Sequence, residues 1–253
     1  MPIPPPSTGK EQFKLAILLK DAILKSYDPE AIILFGSLGR GDADEFSDVD
    51  LFLIMETRRD VNGLGTEISD YLNPITDHKH IIVRTPYDVF RQQDVPGTIV
   101  FSAMQEGYTL FQKATWKWHK SRIDTYNERK FEVIRQEYIQ TAHEFLSQAE
   151  ASLLKGSFFR CRDQMRFAAI KAIKGIFVKH DIHPPRDTDL ISLINQTKDL
   201  EPKLEKDVEF LQELSDYIPI NNGPSAGHKS SKMLQKTTRF VIDLFTIYGT
   251  GPR

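Results

Sequence analysis

The sequence predicts an α+β fold, with a small mixed-sheet domain followed by an all-α antiparallel helical bundle. Short apolar runs of strand length, bounded by Gly, Pro and polar residues, lie within residues 10–112. From residue 126 onward the apolar residues recur with the period of a helix, and no strand pattern is found. The two parts also differ in charge. Residues 1–112 hold 10 Lys and Arg against 17 Asp and Glu, whereas the remainder holds 23 against 18.

The composition narrows the class of protein. The length of 253 residues suits one large domain or two small ones. Cys161 is the single cysteine, which excludes an intrachain disulfide and fits a reducing cytoplasm. No apolar run approaches the ~18 residues that a membrane span needs, so we expect no membrane contact. The formal net charge of −2 argues against a general nucleic-acid-binding protein.

The elements before residue 113 follow from hydrophobic periodicity and turn residues. Residues 1–9 are expected to be a disordered lead-in, and an amphipathic helix runs over 10–27 until Pro29. Thr85 is expected to cap a later helix that has Pro86 at its first position. The remaining predictions are strands at 32–35, 51–55, 81–83 and 107–111, and helices at about 59–71 and 95–105.

The stretch from Ile32 to Met55 contains the predicted chemistry. Two apolar runs are joined by a Gly-rich polar turn that ends in Asp48-Val49-Asp50. Residues two apart in a strand point the same way, so we expect Asp48 and Asp50 on one face and Val49 in the core. Two neighbouring carboxylates repel each other unless a cation lies between them, and Mg²⁺ is the usual hard divalent ion. The pair predicts a metal site.

The turn between the two runs supplies groups that bind phosphate. Gly36 lets the backbone approach a phosphate closely, Ser37 offers a hydroxyl and an amide, and Arg40 offers a cationic fork. Together with the metal site these groups indicate phosphoryl or nucleotidyl transfer. The alternative is a surface turn whose Asp residues are only solvated. Such a turn does not need Gly-Ser, Arg and two same-face Asp at fixed offsets.

Gly36-Ser37, then Arg40-Gly41, then Ser47-Asp48-Val49-Asp50 resembles the signature of the minimal nucleotidyltransferases of the DNA polymerase beta superfamily. The resemblance implies that Asp48 and Asp50 are catalytic and bind the metal. It implies that Gly36, Ser37, Arg40 and Ser47 bind the nucleotide. In that superfamily a third carboxylate usually precedes a run like Ile81-Ile82-Val83, but this chain has His80 there. His80 could bind the metal, accept a proton or be an ordinary strand histidine, and in another register Asp77 could reach the site.

A charged connector over 113–125 leads into the helical half, residues 126–253. We expect a long helix over 126–154 with Gly156 at its C-cap, and a second over 157–180. Asp187 or Thr188 is expected to cap a short helix that ends at Asn195. Further predictions are a helix from Pro202 to about Tyr217, a loop over 219–227 and a last helix over 229–248 that Gly249 ends.

The helical half resembles the HEPN domain, which is named for its occurrence in higher eukaryotes and prokaryotes. This domain often accompanies minimal nucleotidyltransferases. The likeness depends on the two long helices, the Arg-rich start of the second, and Pro185-Arg186 before Asp189-Leu190. In ribonuclease members of that family, four to six residues separate an Arg from the His that follows it. None of the seven His here has an Arg at that spacing, which argues against RNA cleavage.

Charged residues of the helical half are further candidates. Arg162 and Arg166 share a helix face with Arg160 nearby, and they could bind a phosphate or pair with Glu residues across the bundle. The two-domain layout is also similar to aminoglycoside (kanamycin) nucleotidyltransferases, in which a Glu of the helical domain is the general base. Glu137 and Glu144, seven apart on one helix, are the candidates for that role. Two Arg flank Cys161, which we interpret as structural.

The resemblance implies a nucleotidyltransferase that moves a nucleoside monophosphate, AMP from ATP, with Mg²⁺ or Mn²⁺ onto an acceptor hydroxyl. The favoured acceptor is a small molecule of aminoglycoside type, and the alternative is a protein side chain. The missing third carboxylate supports a second hypothesis, a catalytically weak nucleotide-binding module, regulatory or antitoxin-like, that acts on a partner protein. The long helices also leave a homodimer open.

Overall fold

The computed structural model describes residues 9–44, 46–117, 125–186, 188–219 and 224–248. These residues form two compact units. The first holds residues 9–94 and 98–117, and the second holds residues 95–97 and 125–248. The first unit mixes helices with one sheet, whereas the described part of the second is helical. The predicted α+β class is therefore confirmed.

The first unit is built around a sheet whose strand order is β3-β2-β1-β4 among the described residues. Strand β1 runs antiparallel to β2 and β4, and β2 runs parallel to β3. The elements in chain order are α1 (Lys10–Ser26), β1 (Ala31–Phe35), α2 (Gly36–Arg40), β2 (Val49–Ile54), α3 (Val61–Leu72), β3 (Lys79–Arg84), α4 (Pro86–Gln92), α5 (Ile99–Glu106) and β4 (Tyr108–Gln112).

Helices cover both faces of this sheet, which explains why β1 reads as a continuous apolar run. On one face, residues of α1 and α3 such as Leu19 and Ile68 pack with the sheet. On the other face, Val89 of α4 and Val100 of α5 do the same. All five residues of β1 are buried as a result. The two central strands are fixed by burial on both sides, and their ends carry the polar residues.

Two predictions for the first unit need correction. The residues after β1 do not form an irregular turn, because Gly36–Arg40 is a short helix that Gly41 ends with a φ of 81°. The helix expected over 95–105 begins at Ile99, where Thr98 caps it by accepting a hydrogen bond from the amide of Phe101. Pro96 and a Gly97 φ of 81° prevent an earlier start. Thr85 forms the expected cap, and Asp88 completes a capping box.

The described part of the second unit contains α6 (Tyr126–Val133), a π-helix (Ile134–Gln140), α7 (Thr141–Leu154), α8 (Phe158–Lys179), α9 (Leu190–Thr197), a 3₁₀ helix (Pro202–Asp207), α10 (Val208–Asp216) and α11 (Pro224–Tyr248). Its core is centred on α8, whose fully buried residues include Met165, Ile173 and Ile176. Val95, from the segment between α4 and α5, belongs to the same core.

Several boundaries in the second unit differ from the predictions. Asp189, not Thr188, caps α9 by accepting from the amide of Ser192, because it lies directly before the first helical residue. Asp187 and Gly249 lie outside the described residues. Lys155 is the C-cap of α7, and Gly156 follows it with a φ of 70°. Helix α11 starts at Pro224, inside the predicted loop, since Pro is favoured in the first helical turn.

Among the described residues, no helix combines the length and apolar character that a bilayer crossing needs.

Candidate functional site

The two candidate carboxylates lie where β2 begins. Asp48 directly precedes the strand, Asp50 is its second residue, and Val49 between them is fully buried, as predicted. The Asp48 side chain is 58% exposed and the Asp50 side chain 25% exposed. The two therefore differ in their surroundings. Asp50 lies partly inside the protein, whereas Asp48 is at its surface.

The parallel neighbour β3 and the residue just before it place a histidine beside each carboxylate. Asp50 is paired in register with His80, and Nδ1 of His80 lies 3.5 Å from Oδ1 of Asp50. Two residues earlier, Nδ1 of His78 lies 3.3 Å from Oδ1 of Asp48. This register puts His80, not Asp77, next to Asp50. The strand position at which the resemblance led us to expect a third carboxylate therefore holds an imidazole.

Asp50 has an unusual electrostatic environment. Partial burial raises the pKa of Asp50 above its ordinary value of 3.8, and the nearby Asp48 raises that pKa further. His80 and Arg40 act in the opposite direction. Burial and a like charge both disfavour ionised Asp50, so an added cation at this point would relieve a real electrostatic cost.

Gly36 leaves the space that the Asp50 carboxylate occupies. Phe35 pairs with Asp50 across β1 and β2, so Gly36 follows directly beside that pair. A Cβ on Gly36 would lie within 3.0 Å of Oδ2 and Cγ of Asp50, a separation that real Cβ atoms essentially never show. Gly36 also has a φ of 70°, which disfavours any residue with a side chain. The sequence predicted a glycine for phosphate approach, and the structure adds that Asp50 needs this glycine.

Ser37 lies in α2, close to the glycine. Its carbonyl oxygen accepts hydrogen bonds from the amides of Gly41 (2.9 Å) and Asp42 (3.0 Å), which connect the first turn of the helix to the residues after its end. Leu38, the next residue, is buried and anchors α2 to the core. This small helix holds a half-buried Ser37 one residue from Gly36.

Arg40 is held by two acidic residues of the first unit. Its Nη1 lies 3.2 Å from Oε2 of Glu106, and its Nη2 lies 3.1 Å from Oδ1 of Asp42. The side chain is 24% exposed. Arg40 is thus a fixed positive charge that influences Asp50, and contact with a phosphate would compete with these two ion pairs.

Ser47 stabilises the turn before Asp48. Its hydroxyl donates to Oδ1 of Asp44 (2.7 Å) and accepts from the Asp44 amide (3.0 Å). The hydrogen bond from Ser47 is the largest cause of the lowered pKa of Asp44, an exposed carboxyl. Ser47 therefore positions the chain that leads into Asp48, in addition to the nucleotide contact that the sequence predicted.

The donor set at this strand end suits a divalent cation. Asp48 and Asp50 supply oxygen ligands, and the lack of a side chain at Gly36 leaves room for the Asp50 carboxylate. Within the described ranges, no three His, Cys, Asp or Glu side chains are already gathered around one ion position. The donors stand as two Asp–His pairs instead. The exposed members, Asp48 and both imidazoles, can turn toward an ion.

His78 is the residue that the sequence reasoning did not assign. The signal was its spacing, since His78 and His80 repeat the two-residue interval of Asp48 and Asp50 on a neighbouring strand. The sequence does not reveal that β2 and β3 pair in this register. Only the pairing shows that the two intervals coincide.

The candidates in the second unit are arranged differently from the predictions. Arg162 pairs with its neighbour Asp163 at 2.6 Å, and no ion pair between Arg162 and a Glu is found in the part of the chain that the structure describes. Burial raises the pKa of the Cys161 thiol to about 11, so the flanking Arg residues do not make it a thiolate. Glu137 lies in the π-helix and Glu144 in α7, both exposed. The wider turns of a π-helix remove the simple seven-residue argument that put them on one face.

Comparisons with known proteins agree with this division. Residues 19–115 match the family model described as "Polymerase beta, Nucleotidyltransferase", and residues 135–241 match the model of the HEPN domain. The chain thus consists of a polymerase-beta-type nucleotidyltransferase domain followed by a HEPN domain. The nucleotidyltransferase match supports a nucleotidyl-transfer role in general terms.

The chain is similar to the crystal structure of a nucleotidyltransferase-like protein from Exiguobacterium sibiricum 255-15, with a TM-score of 0.41 and 11% sequence identity. That similarity covers 95% of this chain and 78% of that chain. A comparison with curated proteins gives no match.

Proposed function

We propose that this protein transfers a nucleoside monophosphate, AMP from ATP, to a hydroxyl group of an acceptor. The observation that carries the proposal is the pair Asp48 and Asp50 at the start of β2, beside the Gly36-Ser37 bend. In the proposal, residues 10–112 form the transferase domain, residues 113–125 the linker and residues 126–253 the HEPN domain.

Asp48 and Asp50 would hold Mg²⁺ or Mn²⁺. When bound there, the ion supplies positive charge to the triphosphate and to the pyrophosphate that leaves. Gly36 allows close approach of a phosphate to the backbone, and the Ser37 hydroxyl donates to a phosphate oxygen. Arg40, fixed by Glu106 and Asp42, adds a positive charge on the same side, and Ser47 keeps the turn before Asp48 in place.

The reaction is an in-line displacement at the α-phosphorus. The acceptor oxygen forms a bond to that phosphorus while the bond to the bridging oxygen of pyrophosphate breaks, and the hydroxyl proton passes to a base. The protein contributes mainly fixed charge and positioning. We propose a small molecule of aminoglycoside type as the acceptor, with a protein hydroxyl as the alternative.

The test uses the full chain with ATP labelled on the α-phosphate, Mg²⁺ or Mn²⁺, and panels of small-molecule and protein acceptors. Label should move to an acceptor with release of pyrophosphate. Asp50→Asn should lower the rate by at least about 100-fold, the scale of losing one strong electrostatic contact in the transition state. Asp77→Asn, at an exposed carboxylate three residues before His80, is the matched control and should keep the wild-type rate. Normal transfer by Asp50→Asn would refute the assigned role.

A second function is favoured by one observation, the His80 imidazole beside Asp50. If this replacement makes catalysis weak, the chain would act as a nucleotide-binding regulatory or antitoxin-like module on a partner protein. In that case labelled ATP should bind in the presence of metal ion, as measured by equilibrium dialysis, but no label should reach any acceptor. Binding without turnover selects the module, and turnover selects the enzyme.

A further inference from the structure

We propose that His80 is a direct ligand of the metal ion that Asp48 and Asp50 bind, and that it makes this site prefer Mn²⁺ to Mg²⁺. The inference deepens the proposed function and rests on its assignment of the two carboxylates. It adds a third donor, of a different chemical type, and a consequence for metal selectivity.

The sheet brings this third donor into place. His80 is the register partner of Asp50 on a parallel strand, so backbone pairing holds the two residues side by side. Nδ1 of His80 lies 3.5 Å from Oδ1 of Asp50. Adjacent donors on one ion with bonds of about 2.1 Å are roughly 3 Å apart, so a small side-chain rotation lets both atoms share an ion.

The exposure of the donors permits that rotation. His80 is 64% exposed and Asp48 is 58% exposed, whereas Asp50 is the least exposed of the three at 25%. The partly buried Asp50 carboxylate lies near the Asp48 carboxylate, and the group paired with Asp50 across the two parallel strands is the His80 imidazole. An ion bound between the acidic residues would satisfy both carboxylates at once, and the imidazole would coordinate it through a ring nitrogen.

The chemistry of imidazole sets the selectivity. Mg²⁺ prefers oxygen ligands and near-octahedral geometry, and it gives up bound water reluctantly. First-row transition ions accept imidazole more readily, and Mn²⁺ also binds carboxylates and phosphates well. A site with two carboxylates and one histidine therefore gains more from His80 when it binds Mn²⁺ than when it binds Mg²⁺.

His78 offers an internal comparison. It is next to Asp48 at 3.3 Å, but it precedes β3 and is 78% exposed, and its partner Asp48 is 58% exposed whereas Asp50 is 25% exposed. The proposal therefore assigns the ligand role to His80 and not to His78.

The test measures binding of the metal ion alone to the metal-free full chain by calorimetric titration, without nucleotide or acceptor. The proteins are wild type, His80→Gln, His78→Gln and His228→Gln, an exposed histidine of the second unit. His80→Gln should raise the Kd for Mn²⁺ about tenfold or more, by analogy with changes at other metal sites. Its Kd for Mg²⁺ should change less than about threefold, and His228→Gln should match wild type. Circular dichroism checks that each variant is folded.

A second readout is nuclear magnetic resonance of the histidine ring signals, because bound Mn²⁺ broadens signals of nuclei close to it. Substoichiometric Mn²⁺ should broaden the His80 signal first. Equal Mn²⁺ affinity for wild type and His80→Gln, or a loss confined to His78→Gln, would overturn the inference. If the titration shows the expected loss but no nucleotide is bound or transferred, the proposed function fails and the ligand assignment stands.

Discussion

Gly36 and Asp50 occupy complementary space, since the carboxylate of Asp50 fills the position where a side chain at Gly36 would begin. We predict that Gly36→Ala displaces this carboxylate. The variant should lose nucleotidyl transfer and bind Mn²⁺ more weakly. Its loss of stability should exceed about 1–2 kcal/mol, which is the cost of a left-handed φ for an alanine. Label transfer, calorimetric titration with Mn²⁺ and urea denaturation measure the three effects.

Gly156→Ala is the matched control for that prediction. Gly156 has the same φ of 70°, but a Cβ there would meet nothing within 4 Å. The control should show the backbone cost without a steric one, and it should keep wild-type transfer and metal binding. If Gly36→Ala behaves like Gly156→Ala in all three measurements, the close fit of the Asp50 carboxylate against Gly36 is unimportant for the site.

We predict that Asp50→Asn makes the metal-free protein more stable. Burial raises the pKa of Asp50, so the folded state disfavours the charged carboxylate, and a neutral amide of similar shape removes that cost. The expected gain at pH 7 is on the order of 0.5 kcal/mol in the free energy of unfolding, at the lower end for substitutions that relieve such sites. Urea denaturation without divalent ions measures it.

Asp48→Asn provides the comparison, because its side chain is 58% exposed and water already solvates the charge. This variant should change the urea midpoint little while still impairing metal binding. A stability loss for Asp50→Asn would mean that its contact with His80 outweighs the cost of burying the charge.

Asp181, in the second unit, should make the free energy of unfolding depend on pH in the acid range. Burial alone raises its pKa, but hydrogen bonds from Lys130 (2.8 Å) and Tyr126 (2.6 Å) outweigh burial and lower the pKa below the ordinary 3.8. A carboxyl whose pKa is lower in the folded state than in the unfolded state stabilises the folded protein at pH values above its unfolded-state pKa. That contribution disappears as the pH falls through the folded-state pKa.

Asp181→Asn tests this dependence. Asp181 has a φ of 60°, a conformation that asparagine also tolerates. The variant should be less stable than wild type by about 0.5 kcal/mol at pH 7, since the Asp181 side chain is half exposed and solvent weakens the pair. Below pH 3.8 the difference should shrink toward zero. A difference that is constant from pH 7 to pH 3 would show that the charge is not its cause.

Much of the first unit could be predicted from the sequence because local patterns and burial agree there. Continuous apolar runs gave β1 and β2, and Thr85-Pro86 gave a helix start that the capping box confirms. Asp48 and Asp50 were found because their spacing and the flanking strands are both local features. The site residues named from sequence remain predictions for function, although the structure brings Gly36, Arg40 and both carboxylates into one region.

The features that were missed depend on relations between distant residues. The pairing of His80 with Asp50 comes from a strand register that links residues 30 apart. The π-helix at 134–140 includes Tyr138, whose hydroxyl donates to the carbonyl of Gly97 at 2.7 Å, and no local pattern indicates that contact. The burial of Val95 in the helical core is another such relation between distant residues.

Val95–Gly97 has a practical consequence for dissecting the protein. These three residues lie far upstream in the chain, yet Val95 is fully buried in the helical core, and the Gly97 amide donates to His183. A fragment that starts after the linker would lack a buried valine and would leave the hydroxyl of Tyr138 without its acceptor. Severing the polypeptide at residues 113–125 would therefore yield one half with a gap in its interior. Studies of either half are better served by point substitutions in the intact polypeptide than by truncation.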